Sequence, residues 1–442
     1  MTSRPSPGST DPLCLDWVGP VHGLWFSVWL PAMTPAPARR LAALDGLRLV
    51  AALFVSLYHF TGYRPGVLDA WGESREAAFP ELHLLGQYGW LGVELFFMIS
   101  GFVICMSSWG RTPGAFFRSR VTRLFPAYWA AILITTVVVT IWPVVRGHLR
   151  YSDILLNFSM MQQGLGARSV DAVYWTLWSE GLFYLLFSFA IWRGLTLKRA
   201  IVFGYGWLIA ATLAEQSGVP LLKTFLQPNY APFFVAGIAL YLIYRFGSDV
   251  LLWGLLGLSY VLAVYWTDSS VRHFNGRFDV DMRPVVGAAL VTGFFVVLTV
   301  IALGYTSRIQ WGWLTTAGAL TYPFYLLHEN VGWTVIYGLR DFAPPLVILA
   351  AVIAIMLVAA YLLHRLIEKP LARVLKVKLE QASAGLGRQD RFARPSSAPV
   401  SSKIPAPAAP VSSKIQTPAA ASKIPEPREA PEDTLVLPRV RD

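Results

Sequence analysis

Between Leu44 and Phe60 the chain reads LDGLRLVAALFVSLYHF, an apolar run that carries Asp45, Arg48 and His59. An ionisable group at the centre of a membrane helix costs about 2.5–3.5 kcal/mol on insertion scales, so it persists where it faces a cavity or a partner. On a straight α-helix Arg48 and His59 lie about 16.5 Å apart along the axis and about 20° apart around it. They therefore share one face, with Asp45 and Ser56 beside the stripe. A histidine titrates near neutral pH and can act as a general base. A guanidinium fork suits phosphate oxygens. Taken alone, Arg48 could simply snorkel to lipid phosphates. The aligned pair argues instead for one wall of a polar shaft.

Further ionisable groups sit where oil is expected. Glu94 lies in WLGVELFFMISGFVI, Glu180 in VYWTLWSEGLFYLLF, and His328 with Glu329 in LTYPFYLLHENVGW. Any of Asp45, Glu94 and Glu180 could orient the His59 imidazole. His328 reads either as a pore residue or as a satisfied core histidine, and Pro323 bends the helix just before it. Ser100-Gly101 reads as a close helix contact. In FFRSRVTRLFPAYW, Arg118, Arg120 and Arg123 gather at one end of an apolar segment. They read equally as a phosphate site or as charge that sets topology.

These residues need membrane helices to position them. The chain has 442 residues, 55% hydrophobic and 14% charged, with a mean hydropathy of +0.49. A soluble domain carries about 25% charged residues, which places this chain in the membrane class. Seventeen Trp and 26 Phe suit aromatic belts. Two cysteines, Cys14 and Cys105, make neither a disulfide frame nor a zinc site. The net charge of +11 falls between apolar blocks, which argues against a nucleic-acid partner. At about 20 residues per span, ten transmembrane helices are expected, at 44–62, 85–107, 122–143, 173–192, 200–216, 230–244, 250–266, 285–305, 313–334 and 346–364. Arg111, Arg118, Arg120 and Arg123 fill one loop, Arg193, Lys198 and Arg199 another, and Arg365 to Lys378 follow the last span. The opposite loops carry Asp69, Glu73, Glu76, Glu81, Asp268, Asp279 and Asp281. The positive-inside rule then puts both termini in the cytoplasm, as an even span count requires.

The expected organisation is an all-α polytopic membrane domain over 39–379 between two dissimilar ends. Residues 1–38 read as an unstructured extension without a cleavable signal, and Met33 opens MTPAPARRLAALDGLR like a natural start. Residues 380–442, rich in Pro, Ala, Ser and Lys and repeating SSKIP, SSKIQ and ASKIP, read as a disordered tail.

Six segments in order, LDGLR with His59 beyond it, GVELFFMISGF, FFRSRVTRLFPAYW, WTLWSEGLFY, LTYPFYLLHEN and IEKPLAR, resemble the membrane-bound acyltransferase 3 family from about Arg40 to Lys378. The resemblance implies transfer of an acyl group, acetyl by default, from acyl-coenzyme A to a hydroxyl of a sugar, lipid or small natural product, with no metal. It implies that His59 is the catalytic histidine, Arg48 the first-span arginine, and Arg120 and Arg123, with Arg118 beside them, the coenzyme A segment. Glu180 matches an acid of the family pattern, but Gly181 stands where a second acid is common. Glu94 joins His59 and Glu180 as a catalytic candidate. Asp45, Tyr184 and His328 are candidates for holding the acceptor. With His59 towards the outer leaflet, a cell-envelope carbohydrate or glycolipid fits as acceptor, and a macrolide-type metabolite fits the family's range equally. The Ala-, Pro- and Arg-rich composition points to the plasma membrane of a GC-rich bacterium. A secondary transporter or flippase would also explain ten spans and buried charges, but no half-to-half repeat is visible.

Overall fold

The computed structural model describes residues 41–393, apart from 146 and 279. These residues form helices and turns, with no strand among them. Ten helices correspond to the expected spans: α1 Ala42–Leu57, α2 Gly92–Ser108, α3 Pro113–Ile141, α4 Trp175–Ile191, α5 Leu197–Ser217, α6 Ala231–Phe246, α7 Val250–Phe278, α8 Pro284–Ala302, α9 Gly312–Leu327 and α10 Pro345–Leu363. Eight segments of the described residues are long and apolar enough to cross a membrane. The fourth and ninth expected spans fall short, because α4 has 17 residues and α9 has 16. Beyond α9 the chain breaks at His328–Glu329 and resumes as the helix Asn330–Leu339, so the expected single span 313–334 is two pieces.

Local chemistry sets several helix ends. Thr112 accepts a hydrogen bond from the Ala115 N–H at 3.3 Å, and Pro113 follows it. This is the hydroxyl cap and first-turn proline of a helix start. Thr196 caps α5 in the same way through the Arg199 N–H. Large apolar side chains such as Leu133, Val137 and Ile141 of α3, Ile209 and Leu213 of α5, and Val358 of α10 are exposed, as lipid-facing residues must be.

At the centre, α6 is buried from Ala231 to Ile243 and packs against α2. Gly101 and Gly237 make this approach possible. A Cβ at Gly101 would run into the Phe234 carbonyl oxygen, and one at Gly237 into that of Met98. Small residues allow such backbone contact in membranes, where van der Waals packing replaces the hydrophobic drive. Helix α1 is clasped between α2 and α9, with Gly92 against Ala51 and Gly318 against Asp45. The first chemical segment is thus held by neighbours far away in sequence.

The chain divides into a compact unit ending at Ala384 and a second beginning at Gly385. Every residue discussed below lies in the first. The expected extension 1–38 falls outside the described residues. Of the expected tail, residues 380–393 continue the helix Lys369–Ala393, and 394–442 lie outside the described residues.

Candidate functional site

His59 sits where α1 changes winding. Residues Tyr58–Gly62 form a π-helical turn, and the Tyr63 N–H bonds the Tyr58 carbonyl at 2.6 Å. Such turns hold an extra residue and recur at functional sites. The straight-helix projection that aligned His59 with Arg48 therefore ends at Tyr58. Instead the imidazole, 12% exposed at its side chain, meets His328 and Trp333 from beyond α9. The Trp333 Nε1–H donates to the His59 carbonyl at 3.2 Å.

The hydrogen bonds fix the tautomers of both rings when they are neutral. His328 Nδ1 lies 2.9 Å from the Tyr325 carbonyl oxygen. A carbonyl can only accept, so Nδ1 carries the proton and Nε2 is bare. His328 Nε2 lies 2.9 Å from His59 Nδ1, so His59 Nδ1–H must be the donor of that bond. His59 Nε2 is left as the basic nitrogen, and Glu329 Oε1 stands 3.9 Å from it. The Glu329 carboxylate is anchored on its other side, where Oε2 accepts from the Val173 N–H at 3.0 Å. Asp171 Oδ2 accepts from the Asn330 N–H at 3.2 Å, and the Asn330 amide donates to the Val170 carbonyl at 3.2 Å. The segment before α4 is thereby stitched to the break after α9, which holds His328 and Glu329 against His59.

A second polar region lies at the other half of α1. A cavity of about 770 Å³ is lined by Arg48, Arg120 and Arg123, by Ser100, Glu180 and Tyr184, and by an apolar wall that includes Phe97 and Leu177. Among the described residues, the Arg48 and Arg123 side chains make no hydrogen bond or ion pair, and the buried Arg120 Nε has no partner. Arg120 Nη2 donates to Ser107 Oγ at 3.1 Å. Glu180 Oε1 accepts from Ser100 Oγ at 2.8 Å. Three guanidiniums stand against one carboxylate here, with donors unused, an arrangement whose charge and geometry suit an anion.

The cavity does not reach His59. Its lining includes Phe96, Thr176 and Tyr325, and the Tyr325 ring packs against His328 at 5.5 Å between centroids. Thr176 Oγ1 donates to the Tyr325 hydroxyl at 3.1 Å and holds it in place. The expected open shaft from Arg48 to His59 is thus two compartments with an aromatic layer between them.

The candidates divide accordingly. Arg48, Arg120, Arg123, Glu180 and Tyr184 gather in the cavity, and Asp45 lies beside it against Gly318 within electrostatic reach of Arg48. His328 meets His59. Arg118 does not line the cavity. Its side chain lies by Gly114, because it projects from a different face of α3 than Arg120 and Arg123. Glu94 is buried near Tyr230 and Tyr325, with Oε2 lacking a hydrogen-bond partner among the described residues. Neither Glu94 nor Glu180 touches His59, so the acid at the imidazole is Glu329. Sequence reasoning noted Glu329 as a buried charge and gave it no role. Its signal was an acid beside an intramembrane histidine. Nothing in the sequence marked Tyr325 or Asp171.

Residues 41–365 match the family model described as an acyltransferase domain. The chain is similar to "Acyltransferase MdmB" of Streptomyces mycarofaciens, 25% identical over 398 residues that cover 79% of this chain and 96% of that protein. It is also similar to "Protein 2 in picA locus" of Rhizobium radiobacter, 32% identical over 107 residues that cover 23% of this chain and 46% of that protein. No solved structure matches the chain significantly.

Proposed function

The chain belongs to the acyltransferase 3 family, and from that premise we propose that it moves an acyl group, acetyl in the first instance, from cytosolic acyl-coenzyme A to a hydroxyl of a cell-envelope carbohydrate or glycolipid in a bacterial plasma membrane. Arg48, Arg120 and Arg123 hold the donor's phosphates. The pantetheine arm runs along the apolar wall towards Tyr325, and Tyr325 moves aside in the donor-bound state so that the thioester meets the acceptor at His59.

His59 Nε2 removes the proton of the acceptor hydroxyl as its oxygen bonds the thioester carbon. The tetrahedral intermediate then collapses, the C–S bond breaks, and the coenzyme A thiolate takes the proton back from the imidazolium. The products are an ester and free coenzyme A. During this cycle His328 keeps His59 in the tautomer whose Nε2 is basic. Glu329 offsets the charge of the transient imidazolium.

The observation that carries this reading is the relay from the Tyr325 carbonyl through His328 to His59, which leaves one nitrogen free to act as a base. The full-length protein in nanodiscs, given acetyl-coenzyme A and an envelope extract, releases free thiol. A His59→Gln variant that folds normally loses about 100- to 10,000-fold in rate, the range of a general base. Wild-type turnover by that variant defeats the proposal.

A further inference from the structure

A second π-helical turn, His364–Glu368, follows α10, and the Lys369 N–H closes it on the His364 carbonyl. Like the turn at Tyr58–Gly62, it carries a histidine that meets a carboxylate. Such turns recur at functional sites. Glu368 belongs to the segment IEKPLAR, which no step of the acyl transfer uses. His364 Nδ1 lies 2.9 Å from Glu368 Oε2. A carboxylate can only accept, so Nδ1 carries the proton and the imidazole holds the acid in one place. The two side chains are only 13% and 16% exposed, so water screens their charge little.

The turn backs onto the arginine cavity. It packs against α3 and α9, the helices that supply Arg123 and Tyr322 to the cavity wall. The Tyr322 hydroxyl donates to the Leu124 carbonyl at 3.1 Å, which ties α9 to α3 next to Arg123. Glu368 does not line the cavity, yet it lies within electrostatic reach of Arg123 and of Tyr322. Lys369 is also within reach, but it is exposed, so solvent and salt weaken its charge more. Arg123 thus answers both to whatever anion fills the cavity and to a fixed carboxylate outside it.

Such a carboxylate has a use in acyl transfer. Coenzyme A leaves with the same phosphates that acyl-coenzyme A brought in. A guanidinium that holds the substrate by its phosphates holds the product equally, and uniform binding lowers KM without raising kcat. Release of product limits many enzymes, and three guanidiniums around one cavity invite that limit. A negative charge behind one of them loosens the phosphates and leaves in place the fork that orients them.

We infer that Glu368, held by His364, is a fixed counter-charge to Arg123 that weakens the grip on the nucleotide end of the donor and so speeds the release of coenzyme A. The inference rests on the acyltransferase reading above and deepens it. Glu368 is a positioning residue, because it acts through Arg123. The sign of its effect separates this role from a merely structural one. A carboxylate that only braced the wall would, once neutralised, let the wall loosen and the donor bind more weakly. Neutralising a counter-charge makes the donor bind more tightly.

The test uses the full-length protein in nanodiscs and reads the binding of adenosine bisphosphate, the nucleotide end of coenzyme A, by isothermal titration calorimetry. Glu368→Gln keeps the size of the side chain and an acceptor oxygen for His364, and removes the charge. It tightens adenosine bisphosphate about two- to fivefold, the worth of a partly screened charge pair. The KM for acetyl-coenzyme A and the inhibition constant of free coenzyme A fall by the same factor, and a stopped-flow chase shows coenzyme A leaving correspondingly more slowly. The KM for acetyl-pantetheine, which carries no phosphate, does not move. His364→Lys sets a permanent cation against the carboxylate and tightens the nucleotide in the same direction, so the test does not depend on the folding of one variant. In an Arg123→Gln background, Glu368→Gln no longer changes nucleotide binding. The counter-charge is overturned if both variants weaken the nucleotide or leave it unchanged, if coenzyme A leaves as fast as from the wild type, if acetyl-pantetheine shifts as much as acetyl-coenzyme A, or if the effect survives without Arg123. Tighter nucleotide binding in the variants of a protein that releases no thiol from acetyl-coenzyme A would instead sink the acyltransferase reading and leave the counter-charge standing.

Discussion

At the scale of single residues, the site turns on which nitrogen of His59 is bare. That is decided two hydrogen bonds away, by a backbone carbonyl that can only accept. His328 is a positioning residue in this scheme, because it acts through His59. Replacing it with Gln keeps an oxygen acceptor where Nε2 stands, whereas Ala removes it. We expect His328→Ala to lower kcat about 100-fold and His328→Gln to recover most of that loss, with the donor KM unmoved in both. Equal losses in the two variants would mean that His328 only fills space. The chemistry-bearing residues were legible in the sequence because a charge in an apolar run has few innocent explanations. Their partners were not. His59 and His328 are 269 positions apart, and no local period encodes that meeting. Asp45, Glu94 and Glu180 were the acids expected at the imidazole, and Glu329 stands there instead, because only the packing decides which acid arrives.

At the scale of elements, periodicity and length located the helices well but misjudged two features. The helices α4 and α9 are too short to span alone, since apolar composition runs on through breaks such as His328–Glu329 that carry no proline or glycine. The π-helical turn at Tyr58–Gly62 was equally invisible, since one extra residue in a turn leaves no mark on composition. Small residues were more informative. The expected contact at Ser100-Gly101 is the α2–α6 crossing, where two glycines face each other's helices. A Leu at Gly101 has no room against the Phe234 backbone and should overpack the core by about 1–3 kcal/mol or more. Fluorescence-detected size exclusion after heating should show a lowered Tm for Gly101→Leu. Gly206→Leu, where nothing lies near the new side chain, should leave the Tm within experimental scatter. A normal Tm for Gly101→Leu would mean that the crossing is looser than drawn.

For the whole molecule, Tyr325 stands between the arginine cavity and the imidazole site. The sequence led to the expectation of one continuous shaft, because it showed polar residues at both ends and could not show the ring that stands across the middle. An energised membrane stores about 2.3 kcal/mol per unit charge for every 100 mV across it. A water-filled bore would let protons run down that gradient, so any protein that passes an acyl group across must keep a watertight bulkhead in its path. In the proposed cycle Tyr325, braced by Thr176, would serve as that bulkhead. Sealed liposomes carrying Tyr325→Ala and a pH-sensitive dye should lose an imposed proton gradient several-fold faster than liposomes carrying the wild type, and equal decay would place the seal elsewhere. In that cycle the side chain standing between donor and acceptor would also protect the cell's electrical supply. In that cycle the rate at which it swings aside would set a ceiling on turnover that no improvement in the base could lift.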